Sequence, residues 1–170
     1  NDPVEVSDPP VERHGPAWVV RRVLADFTEA PFYGNEIASI GLLFGTILAF
    51  VLNPAAPVYG GGTLPALLTA QVTTSTLGVL LYRPQWIAHG WYPTFVPLVS
   101  VAPATVLPYG PGVHTVVAGA VLGALIGPPV AAWISRQLPS DFHPFIGNVV
   151  SMAVCTLTAV PVLGLLPGFD

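Results

Sequence analysis

The chain has 170 residues, of which 8% are charged and 52% hydrophobic, with a mean hydropathy of +0.68 and a net charge of −4. A soluble domain carries roughly a quarter of its residues as charges, so an aqueous coat is excluded for most of this chain and lipid is its expected solvent. The acidic balance argues against nucleic acid as a partner, and a single cysteine, Cys155, excludes a disulfide framework or a multi-cysteine metal site.

The first 30 residues hold six of the nine acids and three of the five arginines. Residues 1–16, rich in Pro, Asp and Glu, read as a disordered acidic arm. They contain no apolar core or small-residue cleavage site, so they do not read as a signal peptide. The chain opens on Asn1 rather than Met, which suggests a processed or partial piece of a longer protein. Residues 17–34 set Trp18, Val19, Val20, Val23, Leu24 and Phe27 against Arg21, Arg22, Asp26 and Glu29, the pattern of an amphipathic helix lying at a membrane interface.

Residues 35–170 read as a transmembrane bundle. Five hydrophobic stretches, Glu36–Leu52, Leu64–Tyr82, Tyr92–Leu107, Val113–Ile134 and Phe145–Leu166, are separated by turn chemistry and by Trp, Tyr, Arg and His of the kind that anchors at headgroups. At ~20 residues per crossing, the expected fold is all-α, a polytopic bundle of about five transmembrane helices. Its third member, with Pro93, Pro97, Pro103, Pro108 and Pro111, should be broken and shielded, because carbonyls that lose their amide donors cannot face lipid.

Between Ile37 and Ser140 the only charged side chains are Arg83 and Arg136. Positive charge is retained on the cytoplasmic side. Five full crossings place Arg21, Arg22, Arg83 and Arg136 together on that side, whereas a re-entrant third stretch would move Arg136 across. The charge rule therefore predicts a multi-pass membrane protein with its N-terminus on the cytoplasmic side and its C-terminus outside.

Two short motifs match: Pro31-Phe32-Tyr33-Gly34-Asn35 and Pro144-Phe145-Ile146-Gly147-Asn148, both P-F-x-G-N. They are either two ordinary helix starts or equivalent ends of a two-part transport path. In the fourth stretch Gly119, Gly123 and Gly127 recur every four residues, a surface that admits a second helix closely, and Gly41 and Gly45 offer the same spacing in the first.

Polar side chains inside the crossings are neutral. Asn35, Ser39 and Thr46 lie within about 40° of one another on a helix, and Asn148, Ser151, Cys155 and Thr158 within about 80°. Thr69, Thr73 and Thr76 mark one side of the second stretch, and Gln71 and Ser75 another. Such groups are interhelical glue or the lining of a hydrophilic path. In the third stretch, carbonyls freed around Pro97 and Pro103 either coordinate a solute or are met by Thr94, Ser100 and Thr105. Glu36 is either a helix N-terminal acid favoured by the dipole or a protonatable gate.

The four histidines, His14, His89, His114 and His143, have no ligand-like spacing, and neither a catalytic triad order nor a phosphate-binding glycine loop is present. Nothing supports enzymatic activity, no metal site is expected, and no cofactor is indicated.

From Leu77 to Gly147 the chain carries LGVLLY, then PLVSVAPA, then the glycine repeat ending at Pro128-Pro129, then FHPFIGN. That order resembles the C-terminal part of an uncharacterised bacterial multi-pass membrane protein family, a domain of unknown function. It departs from the family where His143-Pro144-Phe145 stands in place of His followed by Gly-Phe-Asn. The resemblance implies a longer protein with about twice as many crossings, of which this chain would be a half or a fragment, and the bacterial cytoplasmic (inner) membrane as its location.

The function expected is a component of a membrane transporter or channel for a small neutral solute or an ion, acting as one half or one protomer of a larger assembly packed through Gly119, Gly123 and Gly127. Asn35, Glu36, Ser39, Thr73, Thr76, Pro97, Ser100, Pro103, Asn148 and Ser151 are its candidate path residues. The alternative is a non-transporting structural subunit. The partners expected are the lipid bilayer and a second copy or second membrane half.

Overall fold

The computed structural model describes residues 14–57 and 62–169, and the described residues are helical with no strand. The acidic arm lies outside them up to residue 13. The elements are α1 (Pro16–Asp26), α2 (Glu29–Phe32), α3 (Glu36–Leu52), α4 (Leu64–Leu81), α5 (Arg83–His89), a 3-10 turn (Val96–Val99), α6 (Val101–Tyr109), α7 (Val113–Gln137) and α8 (Phe145–Leu163). Pro16, Pro65 and Pro84 each sit in the first turn of a helix, where the missing amide costs nothing. The amphipathic segment forms two short helices rather than one: α1 gives way after Asp26 to i to i+3 turns at Phe27 and Thr28, and α2 is closed by Tyr33 and Gly34, both at positive φ.

Three helices, α4, α7 and α8, are long and apolar enough to cross a membrane. That is fewer than the five expected. The third stretch is divided into the 3-10 turn and the nine-residue α6, which at 1.5 Å per residue is only about 14 Å long. Its prolines are the cause, and the shielding they demand is present: Phe95, Val96, Leu98, Val101, Ala102 and Val106 are all at most 1% exposed. α3 has 17 residues, or about 25 Å, short of a ~30 Å hydrocarbon core.

α7 is the centre of the bundle and packs on α8, α4 and α6. A Cβ placed on Gly119 would lie 2.8 Å from the Thr105 Cβ, one on Gly123 3.0 Å from the Pro97 Cβ, and one on Gly127 3.2 Å from the Pro97 Cδ. The glycines therefore admit the Pro-broken segment of the same chain. The face expected to pack on a second half or copy is thus occupied by the chain's own third stretch.

Those contacts also set direction. Residues 96–105 descend α7 from Gly127 to Gly119, so the third stretch runs antiparallel to α7 along most of its length. α4 runs parallel to α7, with Thr74 Oγ1 donating to the Ala120 carbonyl at 2.9 Å and Tyr82 to the Leu125 carbonyl at 3.0 Å. α8 returns antiparallel, joined by Ser135 to the Pro144 carbonyl at 2.9 Å and by Ser151 to the Gly127 carbonyl at 2.9 Å. One end of the bundle thus collects the C-termini of α4 and α7 and the start of α8. Arg21 and Arg22 lie at that end too, Arg22 over the Trp86 ring of α5 at 4.8 Å.

α7 continues through Pro128 and Pro129. The amide absent at Pro129 would have served the Leu125 carbonyl, and the Tyr82 hydroxyl serves it instead. Elsewhere in the broken segment Ser100 donates to the Val96 carbonyl at 2.7 Å and Gln71 to the Leu98 carbonyl at 3.1 Å.

α3 stands apart. Its main packing is on α1, Ser39 is its one buried residue, and a Cβ on Gly41 or Gly45 would meet nothing within 4 Å. The packing expected at those two glycines has no partner within the described residues.

Candidate functional site

The arginine end is built on a charged cluster. Arg22 and Asp26, one turn apart on α1, pair at 2.8 Å, and Arg22 also reaches Glu29 of α2 at 2.5 Å. Asp26 is 1% exposed and accepts hydrogen bonds from Ser75 of α4 at 2.6 Å and from Thr94 at 3.2 Å. Trp91 donates its indole N–H to Glu29 at 2.9 Å. The cluster therefore ties α1 and α2 to α4 and to the start of the broken segment. Burial pushes the Asp26 carboxyl up to about 6, against the opposing pull of Arg22 and Ser75.

A second knot fastens α3 to this end. The Thr28 hydroxyl donates to the Asn35 carbonyl at 2.9 Å, accepts from the Asn35 amide at 3.1 Å and lies 2.7 Å from the Ser39 hydroxyl. Asn35 caps α3, its side chain accepting from the Ala38 amide at 3.0 Å, and Glu36 pairs with Arg21 at 2.6 Å.

Beside these lies a cavity of about 430 Å³ whose wall includes Glu29, Tyr33, Trp91, His143, Phe145 and Asn148. Phe145 is held by stacking on Phe95, with ring centroids 6.1 Å apart, and its amide donates to His143 Nδ1 at 3.1 Å. Asn148 is 2% exposed, yet its side-chain oxygen has no hydrogen-bond partner. A buried acceptor left unmade is costly. It is the conspicuous unmet group in the wall.

Both P-F-x-G-N motifs contribute to this cavity, through Tyr33 from one and Pro144, Phe145 and Asn148 from the other. They are not equivalent locally. The first ends α2 and turns at Gly34, φ +72°, before α3 begins after its Asn; the second lies within the start of α8, Gly147 letting that helix pass the Ser135 backbone, where a Cβ would lie 2.7 Å from the nitrogen.

The other residues anticipated for a path do not converge. Asn35, Glu36 and Ser39 belong to the knot on α3. Thr73 faces a groove between the starts of α4 and α7, and Thr76 donates to the carbonyl of Val72 on its own helix at 2.7 Å. Pro97 is buried against α7, while Ser100, bonded to the turn before it, and Pro103 share a separate groove toward Met152. Ser151 joins α8 to α7. Only Asn148 reaches the cavity. Sequence reasoning missed Asp26, Ser75, Tyr33, Trp91 and His143; the repeated motif was the one signal that pointed toward the place.

Among the described residues no group of three or more His, Cys, Asp or Glu could hold a metal ion. Compared with protein-family models, curated proteins and solved structures, the chain matches none of them.

Proposed function

We propose that the chain is a component of a membrane transporter or channel, and that its solute enters at the cavity of the arginine end. The observation that carries this reading is Asn148: buried in the wall of that cavity with its side-chain oxygen unpartnered, at the point where the two P-F-x-G-N motifs meet. In this proposal the third stretch and α3 share the bilayer with α4, α7 and α8. The extended and 3-10 backbone, with a rise of about 2 Å or more per residue, lets few residues cover much thickness, and a 17-residue α3 is accommodated by local thinning of the bilayer. The arginine end then faces the cytoplasm, and a second copy of the chain, which purified protein supplies in the liposome, completes the path.

The test is flux of small solutes and ions into liposomes containing the purified chain. Asn148→Leu is expected to lower flux roughly tenfold, the loss of a single hydrogen bond to solute, and Thr158→Val, whose hydroxyl bonds only within α8, is expected to leave it unchanged. Equal flux in wild type and Asn148→Leu would defeat the proposal.

A second reading, a structural subunit without a path, is favoured by a separate observation. Gln71, Thr74, Tyr82, Tyr109 and Ser151 each donate to a carbonyl of another element, so these polar groups work as glue. Absence of flux for every solute, with the protein folded, would select it.

A further inference from the structure

The fittings of the arginine-end cavity select a ligand by charge and by hydrogen-bonding sense. Its polar groups are the Glu29 carboxylate and the buried, unpartnered oxygen of Asn148, both acceptors, together with the Tyr33 hydroxyl and the His143 ring, whose Nδ1 is already taken by the Phe145 amide; its aromatic wall is Tyr33, Trp91 and Phe145. Glu29 Oε1 accepts from Trp91 and Oε2 from Arg22, which fixes the carboxylate and leaves each oxygen a further lone pair.

Charge accounting points the same way. Arg22 is shared by two carboxylates, Asp26 and Glu29, so the cluster behind the wall has more negative than positive charge whenever Asp26 is ionised. Arg21 is paired with Glu36, and Arg136 borders a neighbouring groove rather than this cavity. Aromatic faces stabilise a cation within about 6 Å of their centroids. A cavity of 430 Å³ is of the size that holds a small organic molecule.

We infer that this cavity binds a small organic ammonium group, its charged head against Glu29 and Asn148 and its carbon skeleton on Trp91 and Phe145. The inference rests on the solute-binding reading given above for the same cavity and names the ligand class. Two sources could present that head: a free amine, or the ammonium headgroup of a phospholipid at the interface.

The experiment measures binding rather than flux, so that failure of transport and failure of the ligand class are separable. Saturation-transfer NMR on the purified chain in detergent compares choline and ethanolamine with 3,3-dimethylbutan-1-ol, the uncharged isostere of choline, and with acetate. Choline or ethanolamine is expected to bind, and the alcohol and acetate are not. Glu29→Gln, which keeps the side chain's size and its acceptor for Trp91, is expected to weaken binding roughly tenfold. Tyr33→Ala removes a side chain that is 92% exposed at the rim of the cavity, so the fold is expected to be kept while binding weakens. Arg136→Gln is expected to bind as wild type does.

Binding of the alcohol as strongly as choline, preference for acetate, no binding of either amine, or unchanged binding in Glu29→Gln would each overturn the inference. Vesicles of phosphatidylethanolamine that displace choline, where phosphatidylglycerol vesicles do not, would assign the site to a lipid headgroup. Persistence of choline binding against both would assign it to a free amine.

Discussion

At the scale of single residues the bundle is governed by polar groups that must find partners where water is excluded. Asp26 shows the cost. Its carboxyl is raised to about 6 by burial, so the folded chain holds a proton more readily than the unfolded one. The sign follows: this residue's contribution favours folding below the ordinary aspartate pKa and is lost as pH rises through about 6. Thermal unfolding in detergent should therefore show stability falling between pH 4 and pH 6.5 in wild type, and Asp26→Asn should flatten that part of the profile. Tyr82 shows the converse. Its hydroxyl stands in for the amide that Pro129 lacks, and Tyr82→Phe is expected to cost about 1–2 kcal/mol by orphaning the Leu125 carbonyl, measured as a lower midpoint of unfolding.

At the scale of elements, two glycine pairs with the same sequence spacing behave oppositely. Gly119→Ala is expected to destabilise by roughly 1–3 kcal/mol through overpacking, because its Cβ would fall 2.8 Å from that of Thr105. Gly45→Ala, with open space around it, is expected to stabilise α3 by up to about 1 kcal/mol through helix propensity alone. Denaturation midpoints of the two variants check the pair. Sequence spacing made close approach legible at Gly119, Gly123 and Gly127 but could not say what approaches, since that depends on where the chain returns. The break at Pro97 and Pro103 was legible because missing amides are a local fact. Asp26 was not: on a helical wheel it belongs with Arg22 and Glu29 on a wet face, and its burial comes from Ser75 and Thr94, 49 and 68 residues away in sequence. Asn148 was visible as a polar residue in an apolar run, whereas Tyr33, Trp91 and His143 were indistinguishable from interfacial anchors and loop residues.

At the scale of the whole molecule, the antiparallel order of α4, the third stretch, α7 and α8 places His89 and Ser140 at one end and Pro111 at the other. In a Cys155→Ala background, single cysteines at His89 and Ser140 are expected to react with a membrane-impermeant maleimide from the same side, and one at Pro111 from the opposite side. Labelling of His89 and Ser140 from different sides would contradict that arrangement in the membrane. Composition made apolar, helix-length segments legible, because so few charges interrupt the chain between Ile37 and Ser140. The number of long helices was not plain, since hydropathy weighs Tyr92–Leu107 as it weighs Phe145–Leu163 and takes no account of hydrogen bonds that proline removes.

The knot formed by Thr28, Asn35 and Ser39 has a mechanical consequence. It works as a fulcrum at one end of α3, a helix that buries no residue other than Ser39 among the described residues. A tilt of about 10° about that point sweeps the Leu52 end through roughly 4 Å, at 1.5 Å per residue. Tyr33, two residues before the fulcrum, scarcely moves. In the bilayer placement proposed above, a change of thickness is therefore expected to alter the angle of α3 before it reaches the cavity wall at Tyr33.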